Sequence, residues 1–146
     1  MIGPQLVPLS DNRYATRSAR SSSSNTFAND GIVASAPIIE SKVKPSLPRG
    51  VIAQDAFGNR PAFVDRGMRR RAICALGRQD APPDGLTPVD AGVAVLGASS
   101  DHLILDIDEL SEPPALGDPL SFIPSYGATL QLFTSPYVHK VFTSPA

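Results

Sequence analysis

The chain has 146 residues, 13 basic and 14 acidic side chains, and a net charge of −1. This near-neutral balance argues against nucleic acid and membrane surfaces as partners. The single cysteine, Cys74, excludes an internal disulfide and a cysteine-rich metal site. No apolar run reaches about 18 residues, the length that a membrane-spanning helix needs. The sequence therefore predicts one soluble, cytoplasmic domain.

Residues 1–31 carry three arginines and a serine run from Ser21 to Ser24, without apolar periodicity. Such a segment cannot bury enough apolar surface to offset the entropy lost on ordering it. We therefore expect disorder, or a start that is not the native start of the domain. A basic, serine-rich start also resembles an organelle transit peptide, but Asp11, Asp30 and the lack of an amphipathic face argue against that alternative.

The first strand-like pattern runs from Ile32 to Val43. Pro37 interrupts it, which predicts an edge position or a bulge because proline has no amide hydrogen to donate. Short extended pieces are expected at residues 51–53 and 62–64. Met68 to Leu76 predicts a further strand, and its arginines indicate a solvated strand end because no aromatic stacking residues accompany them.

Residues 92–107 contain two apolar runs on either side of a polar turn, which consists of Ser99, Ser100, Asp101 and His102. Branched and large apolar residues suit strands, so the segment predicts strand, turn, strand. Polar side chains at such a turn could bind a ligand from a rigid frame. The local pattern alone favours a role in satisfying the turn's own amides.

The last third of the chain predicts a short helix and a final strand. Ser125 suits the N-cap of a helix at Tyr126 to Phe133, because its hydroxyl can accept a hydrogen bond from the first turn. Residues 137–142 alternate enough for a last strand. Many short strands, long turns and one short helix predict a mainly β domain over residues 32–146, built as a small barrel or sandwich.

Few side chains offer acid–base chemistry. The candidates for proton transfer are Asp80, Asp101, His102 and Tyr126. The sequence has no serine-nucleophile motif, phosphate loop or metal-ligand spacing, and the acidic residues after Asp106 lack the register of a calcium loop. No metal is expected, and these features alone identify no activity.

Five segments carry a resemblance to a known family: residues 40–50, 55–58, 69–80, 85–90 and 97–106. Within them, Gly-Arg-Gln-Asp at 77–80 and Ser-Ser-Asp-His at 99–102 are fairly specific. They resemble the C-terminal part of the ornithine racemase group, among the alanine racemase-like, fold-type III pyridoxal phosphate (PLP) enzymes. The resemblance runs from residue 32 to residue 143.

The resemblance implies a two-domain enzyme. An N-terminal barrel holds PLP on a lysine, and a mostly β C-terminal domain reaches the partner subunit's cofactor pocket across a dimer. This chain resembles the second domain only, so no PLP is expected to bind it alone. The family's Gly-Tyr-x-Asp motif supplies a catalytic tyrosine, and its match here runs from Gly77 to Asp80.

Arg78 stands where that tyrosine would be. An arginine stays protonated, so it is a poor base and a good clamp for a carboxylate. The resemblance therefore leaves the second base open, with His102 and Tyr126 to be considered. The resemblance implies Arg78, Asp80, Ser100 and Asp101 as substrate-binding residues and His102 and Tyr126 as candidate catalytic residues.

We therefore expect the C-terminal domain, or a truncated product, of a PLP-dependent amino-acid racemase (an isomerase) that is inactive alone. Its complete form is expected to be a homodimer acting on a small or basic amino acid. One alternative is a non-catalytic β module that binds a protein partner, and another is a reading frame without a role. The substrate stays open, because the barrel contributes much of the pocket.

Overall fold

The computed structural model describes residues 3–7, 31–47 and 65–142. These ranges contain eight strands, one α-helix and a short 3-10 helix at Pro83–Gly85. The elements are β1 (Gln5–Val7), β2 (Val33–Pro45), β3 (Met68–Cys74), β4 (Leu86–Pro88), β5 (Ala94–Ala98), β6 (Leu103–Asp106), β7 (Pro119–Pro124), α1 (Tyr126–Thr134) and β8 (His139–Lys140).

The strands form one curled sheet. Its hydrogen-bonded order is β4-β7-β2-β3-β6-β5, while β1 pairs with β2 and, in parallel, with β8. The two ends of this order, β4 and β5, lie against each other. The sheet is therefore nearly closed, and the predicted mainly β, barrel-like domain with one short helix is confirmed.

Strand β2 joins the two halves of the sheet. Its first part pairs with β1 and β7, and its second part pairs with β3. Pro37 lies where the partner changes, opposite Pro119, and the pairing register shifts between Ile38 and Glu40. The predicted bulge is found just after Pro37. The predicted edge position is wrong there, because Pro37 lies opposite Pro119 of β7 and its carbonyl oxygen accepts from the Ala75 amide, just after β3, at 3.1 Å.

The predicted strand–turn–strand at 92–107 is β5 and β6, paired antiparallel. The strand predicted at 137–142 is shorter, because only His139–Lys140 pairs. Gln5–Val7 forms a strand although it lies in the segment expected to be disordered. The extended pieces expected at residues 51–53 and 62–64 lie outside the described residues.

Alternate side chains of the strands fill the interior, and α1 covers one side of it. The core includes Ala72, Cys74, Leu103, Leu105, Phe122, Ala128 and Leu132, each 1% exposed or less. Burial raises the pKa of the Cys74 thiol to about 12. Because the thiolate is the reactive form, this cysteine serves packing rather than chemistry.

An ion-pair cluster joins β3 to the end of β6. Arg69 donates through Nε to Asp106 Oδ2 at 3.0 Å and through Nη2 to Oδ1 at 3.2 Å. Its Nη1 lies 3.2 Å from Asp108 and 2.8 Å from Glu109. Burial acts to raise the pKa of Asp106, but hydrogen bonds from Arg69 and the Asp108 amide outweigh it and hold the pKa below the ordinary 3.8.

A close backbone contact joins two turns at one end of the sheet. We call residues 77–80 the Arg78 turn and residues 99–102 the Ser100 turn. A Cβ atom at Gly77 would lie 2.2 Å from the Ser100 carbonyl oxygen and 2.3 Å from the Asp101 nitrogen. Only glycine leaves room for this approach, so Gly77 holds the two turns backbone to backbone.

The Asp106 cluster predicts a loss of stability in acid. Above pH 3.8 the carboxylate is ionised in both states and its stabilisation is complete. As the pH falls below that value the unfolded chain takes up the proton first, so the stabilisation decreases. We expect Asp106→Asn to lower the melting temperature at pH 7. In acid, the melting temperature of this variant should decrease less steeply with pH than that of the parent. The control Glu112→Gln, in an exposed loop, should keep the parent's pH profile; identical profiles for both variants would contradict this account.

The Gly77 contact predicts a second stability effect. Gly77→Ala should lower the free energy of unfolding by about 1–3 kcal/mol, the usual cost of overpacking a filled site. Gly97→Ala is the matched control, because a Cβ there meets nothing within 4 Å, and it should change stability by less than about 0.5 kcal/mol. Urea unfolding measures both. Equal, small effects would show that the two turns do not touch as described.

Candidate functional site

The Arg78 turn and the Ser100 turn leave the sheet side by side. The Arg78 turn follows β3, the Ser100 turn joins β5 to β6, and Cys74 of β3 pairs with Leu103 of β6. Two backbone hydrogen bonds then link the turns: the Arg78 amide donates to Ser99 O and the Gln79 amide to Ser100 O, both at 2.9 Å. Two motifs that are distant in sequence thus form one surface.

The side chain of Arg78 lies across the end of β5. Its Nε donates to the Ala98 carbonyl oxygen at 3.0 Å, and the residue is half-buried. Since Ala98 immediately precedes the Ser100 turn, this bond keeps the guanidinium group beside that turn. A permanently charged, planar group is therefore fixed at the meeting point of the two motifs.

The polar groups of the Ser100 turn fall into two sets, those that close the turn and those that are exposed. Ser99 Oγ accepts from the His102 amide at 3.1 Å, and the Ser99 amide donates to His102 O at 2.9 Å. Ser99 and the backbone of His102 therefore close the turn, which is the local role predicted from the sequence. Ser100 and Asp101 are exposed, and the Ser100 hydroxyl donates to the Asp101 carboxylate.

Asp80 lies inside the domain rather than on its surface. It is 2% exposed, and its Oδ1 accepts from the Ser135 hydroxyl at 2.6 Å. Its Oδ2 accepts from the Gly77 amide at 3.4 Å. The structure thus places this predicted substrate-binding residue beneath the Arg78 turn. Sequence reasoning did not single out Ser135, because a serine just after a short helix carries no recognisable signal.

Tyr126 is on a neighbouring element, as the first residue of α1, and is 74% exposed. The helix begins as predicted, with Ser125 Oγ accepting from the Ala128 amide at 3.3 Å. The Ser125 amide also donates to Gly85 O at 2.7 Å. The structure therefore brings the backbones of Arg78, Ser100 and Asp101 together, and it holds Tyr126 on a helix attached to Gly85, in the segment that follows Arg78.

A groove of about 430 Å³ lies elsewhere on the domain. Val93, Leu110 and Leu120 are among its lining residues, with Asp90, Glu112 and Asp118. None of the sequence-predicted site residues lines it. The groove is therefore separate from the surface that the two turns form.

The three lysines bear on the implied cofactor, which requires a lysine amino group. Lys42 and Lys44 pair with Glu40 at 2.8 and 2.6 Å, and their hydrogen bonds lower the pKa of Glu40 to about 2. Lys140 donates to the carbonyl oxygen of Ser135. All three amino groups thus have hydrogen-bond partners within the described part of the chain.

Two further properties of the described ranges are negative. Within residues 3–7, 31–47 and 65–142, no group of three or more histidine, cysteine, aspartate or glutamate side chains is arranged to hold a metal ion. No helix in the same part of the chain has the length and apolarity needed to cross a membrane.

Comparison with known proteins identifies close sequence relatives. The chain is 47% identical over 112 residues to an ornithine racemase of Acetoanaerobium sticklandii, covering 77% of this chain and 32% of the relative. It is 48% identical over 120 residues to a lysine racemase of Thermotoga maritima, covering 82% of this chain and 32% of the relative. The chain thus spans about a third of the length of these curated relatives. No family model matches it.

Solved structures share the fold. Alanine racemase from Bartonella henselae, with covalently bound pyridoxal phosphate, superposes with a TM-score of 0.57 at 16% identity, over 77% of this chain and 35% of that one. The biosynthetic alanine racemase of Pseudomonas aeruginosa gives 0.51 at 19% identity, over 78% and 35%. These similarities give no support to a stand-alone binding module. The chain is homologous to ornithine and lysine racemases and fits a C-terminal fragment of a fold-type III racemase.

Proposed function

We propose that this chain is the C-terminal domain of a PLP-dependent amino-acid racemase and contributes residues to the active site of a partner subunit. The observation that carries the proposal is the contact between the Arg78 turn and the Ser100 turn. The two motifs most specific to the racemase resemblance meet there as one polar surface. Ser100 and Asp101 are exposed in the turn that follows Ala98, and the guanidinium group of Arg78 is hydrogen-bonded to the Ala98 carbonyl oxygen.

In this proposal Arg78 binds the substrate carboxylate. The planar guanidinium fork matches a carboxylate and keeps its charge at every working pH. The bond from Nε to Ala98 O holds the side chain at the Ser100 turn. A carboxylate bound by Arg78 would therefore lie next to Ser100 and Asp101, whose hydroxyl and backbone can orient the rest of the substrate.

The acid–base residue is proposed to be His102 or Tyr126. Racemisation removes a proton from one face of the α-carbon and returns one to the other face, so two bases on opposite sides are needed. Histidine exchanges protons readily near neutral pH. His102 is the last residue of the Ser100 turn, which is hydrogen-bonded to the Arg78 turn. Tyr126 is exposed at the start of α1 and is the alternative.

The remaining parts of the enzyme are proposed to lie outside this chain. PLP, when bound, supplies the electron sink for the reaction. Because Lys42, Lys44 and Lys140 all have partners, we propose that the lysine holding PLP belongs to the rest of a longer, cytoplasmic, homodimeric enzyme. The names of the sequence relatives favour a basic amino acid as substrate, with ornithine and lysine as the first two to test.

The isolated chain should be unable to form the cofactor complex. Incubation with PLP and reduction by borohydride should leave no single lysine modified stoichiometrically, and racemase activity should be absent. Peptide mass mapping measures the first outcome and chiral chromatography the second. A stoichiometric adduct at Lys42, Lys44 or Lys140 would contradict the proposal that the lysine holding PLP lies in the rest of the enzyme.

A graft tests the proposed activity directly. This chain replaces the matching third of the A. sticklandii ornithine racemase, and the graft should racemise ornithine or lysine. Arg78→Lys should raise KM by about tenfold or more, because a point charge replaces a bidentate fork. Gln79→Ala is the matched control, since Gln79 is exposed in the same turn and uses its backbone amide there. An inactive graft, or equal KM values for both variants, would contradict the proposal.

Solvent-deuterium incorporation distinguishes the two candidate bases. In the active graft, replacing the true base by His102→Gln or Tyr126→Phe should slow exchange from one enantiomer much more than from the other. The reason is that each base serves one face of the α-carbon. Thermal stability measured in parallel identifies a merely structural loss, which slows both directions alike. Parent-like exchange from both enantiomers in both variants would exclude both residues.

A further inference from the structure

The helix α1 is attached at both ends to the segment that follows Arg78. At its N-terminal end, the Ser125 amide donates to Gly85 O at 2.7 Å. At its C-terminal end, the Ser135 hydroxyl donates to the Asp80 carboxylate at 2.6 Å. The helix therefore lies along residues 80–85 and is fixed to them at both termini.

We infer that Ser135 and Asp80 are positioning residues: their buried hydrogen bond fixes the Arg78 turn relative to α1. This inference rests on the proposed function, since the groups so positioned are Arg78 and Tyr126. Asp80 itself is not available to a substrate, because it is 2% exposed.

Burial makes the hydrogen bond between Ser135 and Asp80 costly to lose. Asp80 and Ser135 are 2% and 5% exposed, so the carboxylate depends on protein donors rather than on water. Its second described donor, the Gly77 amide, is long at 3.4 Å. Without the Ser135 hydroxyl, the carboxylate would keep only that weak bond, and an under-satisfied buried charge is costly. The carboxylate would turn toward water and release Gly77, which begins the Arg78 turn.

Lys140 holds Ser135 through a further hydrogen bond. Its amino group donates to the Ser135 carbonyl oxygen, so both the backbone and the side chain of Ser135 are held. Strand β8 is therefore also attached to the C-terminal end of α1. A change at Ser135 should affect the Arg78 turn more than the β3–β6 and β5–β6 pairs, whose hydrogen bonds do not involve Ser135.

Amide hydrogen exchange in the full chain tests the inference. Ser135→Ala should speed exchange of the Arg78 and Gln79 amides at least about tenfold, the loss expected for a hydrogen bond to a charged group. The Ile107 amide, which donates to Arg70 O at 2.9 Å across the sheet, serves as the internal reference and should change little. Ser135→Thr keeps the hydroxyl and should restore slow exchange. Thr134→Ala removes the neighbouring exposed hydroxyl and should have no effect on the turn.

A purely structural role would give a different result. In that case Ser135→Ala would speed exchange uniformly, at Ile107 as much as at Arg78, and the inference would be overturned. If Ser135→Ala does not fold, Ser135→Cys replaces it, because a thiol is a weak donor of similar size. It should give an intermediate acceleration confined to the Arg78 turn, and uniform acceleration would again overturn the inference.

The KM and kcat of the grafted racemase give a second test of the positioning role. Ser135→Ala should raise KM several-fold more than it lowers kcat, because a displaced Arg78 weakens substrate binding, and Ser135→Thr should restore KM. An unchanged KM in an active graft would overturn the inference. If the graft carrying the unaltered chain is inactive, the proposed function fails, whereas the exchange measurement still decides the positioning role.

Discussion

The backbone of Gly77 lies against the peptide that joins Ser100 to Asp101, so closely that no side chain fits between them. This contact determines the arrangement of the candidate site. It allows the Arg78 and Gln79 amides to reach the carbonyl oxygens of the Ser100 turn, and it places the Arg78 guanidinium at the end of β5. Pairing of β3 with β6 brings the two turns to the same end of the sheet. A side chain at position 77 would separate them.

The sheet and the helix contribute differently to this arrangement. Strand β2 carries the pairing from β7 to β3 and so makes one curled sheet from two groups of strands. Helix α1 covers part of the core with Ala128 and Leu132, but its hydrogen bonds to Gly85 and Asp80 link it to the site as well. The buried Asp80 carboxylate therefore makes internal contacts, with the Ser135 hydroxyl and the Gly77 amide.

Local patterns were sufficient to predict many of the elements. The Ser125 cap and helix, the strand containing Ala72 and Cys74, and the β5–β6 pair all follow from alternation and capping chemistry. For Pro37, the bulge was predicted correctly and the edge position was not, because a strand that changes partner has the same local pattern as an edge strand. The parallel pairing of β1 with β8 was not predictable, since it depends on residues at opposite ends of the chain.

The candidate site depended on the resemblance more than on local pattern. Nothing local indicates that residue 77 touches residue 100, or that Asp80 reaches Ser135 across 55 positions. Long-range contacts of this kind arise from topology, which a one-dimensional pattern does not encode. The motifs identified which turns to compare, and the structure showed that they meet. It also showed that one of their polar residues is buried.

Arg78 is proposed to bind the carboxylate of an amino acid held in a partner subunit. The most direct measurement is a crystal structure of the grafted racemase with a bound carboxylate inhibitor. Our account predicts that the guanidinium group of Arg78 lies within hydrogen-bonding distance of the inhibitor carboxylate in the opposite subunit, with Ser100 and Asp101 beside it. A carboxylate bound by other groups, with Arg78 facing solvent, would contradict it.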